Sequence, residues 1–399
     1  MFLAAAPYFQ HRFESDSRIL ETFQSSILSV STICNLLAML ILTNIQASAN
    51  YPLRINGALI FNVVVFGLLA VSTTFFTDVS PGTYLTFLLF MVGCTAWAAG
   101  MMQNGAFAFA ASFGRPEYTQ AIMAGQGVAG ILPPLAQMLS FLAVPPSSDS
   151  SSSDDDDNSG TDGAGKAAFI YFLTAVAVSG AAFLTFAPLV RRHNRIIERR
   201  MAARMEESIS SIEEAERAAR RYVGMLTLFR KLRWICVSVF LCFAIAMFFP
   251  VFTSKILSVH DADKSGRLFA PGAFIPLAFF FWNLGDLAGR VSTMYPALSL
   301  RHRPKALFAI SVARVLFLPL YTLCNIRGQG AVVSSDLFYL LIVQFPFGLT
   351  NGWLGSSAMM AAGEWVDDAE REAAGGFMGM CLVAGLTVGS LLSFTVSGV

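Results

Sequence analysis

Residues 232–255 read LRWICVSVFLCFAIAMFFPVFTSK, a continuous apolar run that decides how the chain folds. Between Trp234 and Ser254 it carries no charged residue, and Arg233 and Lys255 stand at its two ends. A helix needs about 20 predominantly apolar residues to cross a bilayer, because each residue adds about 1.5 Å to its length. The stretch therefore predicts a membrane-spanning helix.

The same pattern recurs along the whole chain. The runs are continuous rather than alternating, which argues against a transmembrane β-barrel. Ten apolar stretches of spanning length lie at residues 24–46, 53–76, 83–112, 118–143, 167–190, 232–255, 269–293, 304–325, 334–361 and 372–396. We therefore predict an all-α polytopic membrane protein with ten full spans.

Composition supports this fold class and narrows the function. Of 399 residues, 55% are hydrophobic and only 13% are charged, against about 25% charged in soluble domains. The net charge of +1 gives no reason to expect nucleic acid as a partner. The six cysteines form no CxxC pair and the four histidines are scattered, so we expect no metal and no cofactor.

Two segments are too polar to lie in the bilayer. Residues 145–165 combine a serine run with Asp154 to Asp157, and we expect a disordered acidic loop there. Residues 191–231 are charged, and twelve Lys or Arg residues lie between Arg191 and Arg233. Positive charge marks the cytoplasmic side, so this linker is predicted to be cytosolic and the acidic loop to lie on the opposite side.

These segments divide the chain into parts. We expect an N-terminal helical bundle at 1–190, a charged cytosolic linker at 191–231 and a C-terminal five-helix bundle at 232–399. Two bundles joined by a central linker are typical of the major-facilitator architecture, which does not by itself name a substrate.

The strongest candidate site lies in the span at 269–293. Asp286 and Arg290 are spaced i, i+4 and share a helix face, and Trp282 lies one turn earlier. Ionisable residues inside a span are costly, about 2.5–3.5 kcal/mol on insertion scales, and are functional candidates by default. Together the three side chains would offer a polar substrate a stacking surface and hydrogen bonds. The alternative is a buried ion pair that fixes helix packing.

Amide side chains in other spans are further candidates. Gln103 and Asn104 lie in the span at 83–112, and Asn351 lies in a span interrupted by glycine. A buried amide needs a hydrogen-bond partner, which is either the substrate or a neighbouring helix. Because we find no hydrolase nucleophile elbow, zinc-ligand helix or Walker motif, we do not expect an enzyme.

Taken in chain order, these motifs resemble those of the equilibrative nucleoside transporter family, and their sequences are most similar to those of fungal members. The ordered set extends over nearly the whole chain, although no single motif is specific. The matching residues are Pro7-Tyr8-Phe9, Arg12-Phe13, Phe23-Gln24, Arg54, Gly57, Gln103-Asn104-Gly105, Tyr118-Thr119, Gly125-Gln126-Gly127, Phe249-Pro250, Asn283, Gly285-Asp286, Gly289-Arg290, Thr350-Asn351-Gly352 and Glu372-Ala373-Ala374-Gly375.

The resemblance implies eleven spans of major-facilitator type and movement of nucleosides such as adenosine and uridine, or of nucleobases, through a central cavity. By position, Asp286 and Arg290 match the family's carboxylate–arginine pair in the eighth span. Gln103 matches the fourth-span amide if one extra residue is allowed near Arg115, and otherwise Asn104 does. The sugar would then face the pair and the base would face Gln103.

The first span departs from the family, which has a substrate-facing Trp-Asn-Xaa-Phe-type stretch there. The sequence starts at Met1-Phe2, so we expect a residual, N-terminally truncated first span in addition to the ten full ones. A short interfacial segment is the alternative for residues 1–9.

The partners and the membrane follow from the same resemblance. We expect a monomer in the plasma membrane or the vacuolar membrane, surrounded by the lipid bilayer, which moves nucleosides by facilitated diffusion or with protons. The alternatives are a carrier of another small metabolite and a non-transporting truncated paralogue.

Overall fold

The computed structural model of this chain is largely helical in the part that it describes, namely residues 6–45, 50–75, 79–143, 157–206, 224–260, 266–393 and 395. Within these residues no strand forms, and the only β-type pairing is an isolated bridge between Ile256 and Ile326. The helices are α1 Ala6–Arg12, α2 Ser17–Asn44, α3 Tyr51–Phe75, α4 Pro81–Ser112, α5 Pro116–Ala143, α6 Asp157–Glu206, α7 Met225–Ala246, α8 Phe248–Thr253, α9 Pro271–Ser292, α10 Pro304–Ala313, α11 Phe317–Tyr321, a π-helix Phe338–Gln344, α12 Phe345–Ala361 and α13 Arg371–Ser393.

The chain is an all-α polytopic membrane protein. Among the described residues, 9 helices are long and apolar enough to cross a membrane, and they coincide with nine of the ten predicted stretches. The tenth stretch, 334–361, differs because its first part is the π-helix, which leads into α12. Pro346 has no N–H to bond the carbonyl group four residues earlier, which favours the wider winding at that point.

Helix contacts group the chain into two units. Unit 1 comprises Met1–Ala106 and Asp149–Tyr222. Its core is aromatic: Phe9 and Phe13 of the short α1 region are fully buried and lie against Tyr84, and Phe9 also lies against Phe172. The short helix α1 lies where the sequence predicts the residual first span, and residues 1–5 lie outside the described part.

Unit 2 comprises Phe107–Ser148 and Val223–Val399. In it α9 packs against α12 and α5, while α7 packs against α13 and α10. The sequence assigns α5 to an N-terminal bundle at 1–190, whereas by helix contacts α5 groups with the C-terminal helices. Gly127 of α5 faces the backbone of Leu287 and Gly130 faces Asn283, so α5 and α9 approach closely.

The two polar segments also differ from their predicted limits. Residues 145–156 of the predicted acidic loop lie outside the described part, but residues 157–165 are helical, because α6 begins at Asp157. The predicted linker 191–231 is likewise helical at both ends, since α6 runs to Glu206 and α7 starts at Met225. Alanine-, glutamate- and arginine-rich sequence has high helix propensity, which explains why α6 continues past the apolar stretch to Glu206.

Candidate functional site

Asp286 and Arg290 form an ion pair on α9. Arg290 Nε donates to Asp286 Oδ2 at 2.6 Å, and the arginine and the aspartate are only 6% and 3% exposed. The shared helix face predicted from the i, i+4 spacing is therefore confirmed. Removing one partner of a buried pair leaves an uncompensated charge, which costs about 3–5 kcal/mol.

Further polar groups from two other helices complete the pair. Arg290 Nη1 donates to the Met123 carbonyl oxygen at 2.8 Å and to Gln126 Oε1 at 3.2 Å, both on α5. Asn351 Nδ2 on α12 donates to Asp286 Oδ1 at 2.7 Å. We call Gln126, Asp286, Arg290 and Asn351 the Asp286 cluster; it joins three helices of unit 2.

Close approach of α9 and α12 brings Asp286 and Asn351 together. Four glycines lie where the helices cross, and a Cβ on any of them would overlap a backbone carbonyl oxygen of the facing helix. The pairs are Gly285 with Phe345, Gly289 with Leu349, Gly348 with Trp282 and Gly352 with Asp286. Small residues allow such backbone proximity in membrane proteins, as the spacing of Gly285 and Gly289 predicts.

Trp282 lies on α9 one turn before Asp286. Its ring is stacked on Phe249 with centroids 4.1 Å apart and planes 5° apart, so Phe249 covers one of its faces. Its indole N–H is buried and has no hydrogen-bond partner among the residues that the structure describes. A buried donor without a partner is uncommon and marks a place where a ligand would be stabilised.

The two amides of α4 have different environments. Asn104 is fully buried, and its Oδ1 accepts from Arg54 Nη1 at 2.7 Å while its Nδ2 lies 3.4 Å from Thr43 Oγ1. Gln103 is partly buried, and no hydrogen bond of its side chain is found in the described part of the chain. Asn104 therefore stabilises helix packing within unit 1, and Gln103 stays the predicted nucleoside contact.

Sequence reasoning missed three residues of this region. The sequence pattern assigns Gln126 only to a glycine-rich packing motif, yet it accepts from Arg290. Arg314 is 1% exposed in the candidate span Pro304–Tyr321, and Cys242 is fully buried beside it. Arg314 could have been found by the rule that selected Asp286, since both are charged residues inside an apolar stretch.

A cavity of about 80 Å³ lies elsewhere in unit 2, where α4, α5, α12 and α13 end or begin. Its polar lining includes Arg115, Thr119, Glu364 and Arg371. None of the six predicted site residues lines it. In the described ranges no group of three or more His, Cys, Asp or Glu could hold a metal ion.

Spanning helices and a charged cluster buried between three of them define a polytopic membrane protein. Solved structures agree: a crystal structure of the E. coli fucose:proton symporter FucP matches with a TM-score of 0.53 at 14% identity, over 99% of this chain and 96% of that one. An outward-conformation structure of FucP, described as a major facilitator superfamily transporter, matches with a TM-score of 0.52. The fold is therefore the major-facilitator fold.

The family follows from sequence. The model described as "Nucleoside transporter" matches residues 89–397, and the chain belongs to the nucleoside transporter family, a family of transporters rather than enzymes. Nucleoside transporter FUN26 of Saccharomyces cerevisiae is 29% identical over 98% of this chain and 80% of its own length. Human equilibrative nucleoside transporters 1 and 2 are each 25% identical, over 92% and 98% of this chain and 81% and 92% of their own lengths.

Proposed function

We propose that this chain moves nucleosides across a membrane by alternating access, with the Asp286 cluster contacting the sugar hydroxyl groups. Membership of the nucleoside transporter family supports the substrate class. One observation carries the site: a carboxylate and a guanidinium lie buried in the candidate span Pro271–Ser292, with an unpartnered indole N–H one turn away among the described residues. Charge at this depth is costly, and it is usually associated with a substrate pathway.

The chemistry of the cluster suits an uncharged, hydroxyl-bearing solute. A carboxylate offers about four lone-pair positions, and two on Asp286 are used by Arg290 and Asn351. Asp286 is only 3% exposed in this conformation, so the remaining positions accept the O–H groups of a ribose in a state of the transport cycle that opens the cluster. The Trp282 N–H provides a donor for an acceptor oxygen or nitrogen of the same ligand.

The finer assignments are proposals of the same kind. Gln103 contacts the nucleoside base, since its amide has no partner in the described chain. Transport is equilibrative, without a co-transported proton, and the names of the human relatives support this. Insensitivity of uptake to a protonophore would agree with this, and inhibition would contradict it.

The protein acts as a monomer in the plasma or vacuolar membrane, and a fluorescent fusion would distinguish the two membranes.

The substrate class is tested by uptake and competition. Radiolabelled uridine is offered to yeast that lacks its own nucleoside transport and expresses this chain. We expect uptake that excess unlabelled adenosine or uridine inhibits and excess L-fucose does not. Uptake that fucose or another metabolite inhibits and nucleosides do not would move the assignment to a different solute. No uptake, with the protein present in the assayed membrane, would favour a non-transporting paralogue.

A further inference from the structure

Arg314 is a second buried arginine of unit 2, and no carboxylate lies within ion-pair distance of it among the described residues. Its guanidinium instead donates to oxygens of two helices. Nη1 reaches the Cys242 carbonyl oxygen at 2.6 Å, Nη2 reaches the Phe347 carbonyl oxygen at 3.3 Å, and Nε reaches Thr350 Oγ1 at 3.3 Å. A buried cation without a counter-charge in contact is costly, so its placement calls for a reason.

The Cys242 thiol lies between Arg314 and the Asp286 cluster. Its Sγ is 3.0 Å from Arg314 Nη1 and 3.4 Å from Asn351 Oδ1, and the residue is fully buried. A thiol has one weak donor and weak acceptor capacity, so it can accept on one side and donate on the other. Cys242 is thus the link between the guanidinium and the amide.

The direction of these hydrogen bonds is fixed by their ends. Arg314 only donates, and the Asp286 carboxylate in its ion pair only accepts. The Asn351 amide therefore presents its N–H to Asp286 and its oxygen towards Cys242. The thiol donates towards Asn351, whose Oδ1 lies 3.4 Å and whose backbone carbonyl oxygen lies 3.6 Å from Sγ. The bonds run in one direction from Arg314 through Cys242 and Asn351 to Asp286, and such chains strengthen their members mutually.

We propose that Cys242 and Arg314 are positioning residues for the substrate-binding carboxylate. Arg290 holds one oxygen of Asp286 directly, and Arg314 holds the other through Cys242 and Asn351. The two arginines together fix where the carboxylate faces and which way the amide beside it is turned. This inference rests on the proposed contact between Asp286 and the sugar hydroxyl groups, and it adds residues that do not touch the substrate themselves.

A packing role alone is the competing explanation, because Arg314 also ties α7 to α12. Packing and positioning differ in what they change. Loss of packing lowers the amount of folded carrier and affects all substrates alike. Loss of positioning weakens the binding of substrates that contact the carboxylate more than the binding of substrates that do not.

The test compares two competitors, uridine and 2′,3′-dideoxyuridine, in the uptake assay with labelled adenosine. The variants are Cys242→Ala, which removes the link, and Cys242→Ser, which restores a donor and an acceptor. Cys236→Ala is the matched control, because Cys236 is a buried thiol on the same helix whose Sγ lies 3.7 Å from Met378 Sδ of α13 and takes no part in the bonds between Arg314 and Asp286. All uptake is normalised to the protein present in the membrane.

We expect the wild type to prefer uridine over the dideoxy analogue, and Cys242→Ala to reduce that preference by about threefold to tenfold, as the loss of one hydrogen bond implies. Cys242→Ser should recover most of it, and Cys236→Ala should leave it unchanged. An unchanged preference in Cys242→Ala would overturn the positioning role while leaving the proposed function intact. A wild type that transports adenosine but does not distinguish the two competitors would overturn the proposed sugar contact itself.

Discussion

At the residue scale, a polar side chain can bind a ligand only through hydrogen-bonding groups that the fold has not already paired. Asn104 has both ends of its amide bonded within unit 1, and Arg54, which bonds it, also donates to the Leu42 and Ile45 carbonyl oxygens at the end of α2. Its neighbour Gln103 has no such bonds in the described chain. The two adjacent amides therefore differ in role: Asn104 stabilises unit 1, and the side chain of Gln103 is left for a ligand.

We predict opposite outcomes for alanine at these two positions. Asn104→Ala removes the side-chain acceptor of the Arg54 guanidinium and should lower the free energy of unfolding by about 1–3 kcal/mol. Gln103→Ala should change stability by less than about 0.5 kcal/mol and raise the KM for nucleosides. Thermal unfolding in detergent and uptake kinetics measure the two effects. A Gln103→Ala variant with wild-type KM would remove Gln103 from the binding site.

The residue scale also shows where sequence reasoning stops. The Asp286–Arg290 pair can be predicted from the sequence because both residues lie on one helix at a fixed spacing. The bonds to Gln126 and Asn351 span 164 and 65 residues, and no local pattern contains them. Cys242 is not predictable in this way, because a buried thiol is ordinarily a small apolar residue and its polar role depends on the guanidinium beside it.

At the element scale, the crossing of α9 and α12 sets the geometry of the site. The glycines at the crossing let the two backbones touch, and only then can the short Asn351 side chain reach Asp286. A methyl group at the crossing would push the helices apart and lengthen that hydrogen bond.

Gly352→Ala tests this account against Gly125→Ala as a matched control. A Cβ on Gly352 would overlap the Asp286 carbonyl oxygen, whereas a Cβ on Gly125 of α5 would meet nothing within 4 Å. We expect Gly352→Ala to lower the free energy of unfolding by about 1–3 kcal/mol and to reduce uptake, as overpacking does. Gly125→Ala should behave like the wild type. Equal stability of the two variants in a thermal melt would contradict the close crossing.

Helix existence and helix ends differ in how far they can be predicted. The length of each apolar stretch is enough to predict a span, because a helix needs about 20 apolar residues to cross the bilayer. The π-helix at Phe338–Gln344 depends on tertiary bonds: Gln344 accepts from the Tyr321 hydroxyl group at 2.9 Å and donates to Thr253 Oγ1 at 2.7 Å. The C-terminal end of α6 depends on helix propensity outside the bilayer, which a hydropathy criterion does not measure.

At the scale of the whole molecule, polar contacts between loops define the two ends of unit 2. Lys231 pairs with Glu370 at 2.6 Å, and Arg301 pairs with Glu364 at 3.2 Å, so the start of α7, the α9–α10 loop and the α12–α13 loop meet at one end of unit 2. Ser258 donates to Asp336 at 2.6 Å where the loops of the other end meet. Because positive charge marks the cytoplasmic side, we predict that the basic end faces the cytosol.

Cysteine labelling tests this orientation. His302 is exposed at the basic end and Val332 is 78% exposed at the opposite end, so His302→Cys and Val332→Cys report on the two sides. In sealed cells or right-side-out vesicles, a membrane-impermeant maleimide should label Val332→Cys, and should label His302→Cys only after permeabilisation. The parent chain, whose own cysteines are buried or partly buried, gives the background. The reverse pattern would invert the topology.

The central claim is that the buried carboxylate Asp286 serves nucleoside transport, and one comparison tests it most directly. Labelled uridine and adenosine uptake is measured for the wild type, for Asp286→Asn and for Asp368→Asn, in which an 86% exposed carboxylate is replaced. Folding is checked by the thermal melt of each purified protein. The account predicts uptake by the wild type and by Asp368→Asn, and a loss of about tenfold or more in Asp286→Asn at equal membrane amounts. Wild-type uptake by Asp286→Asn would contradict it.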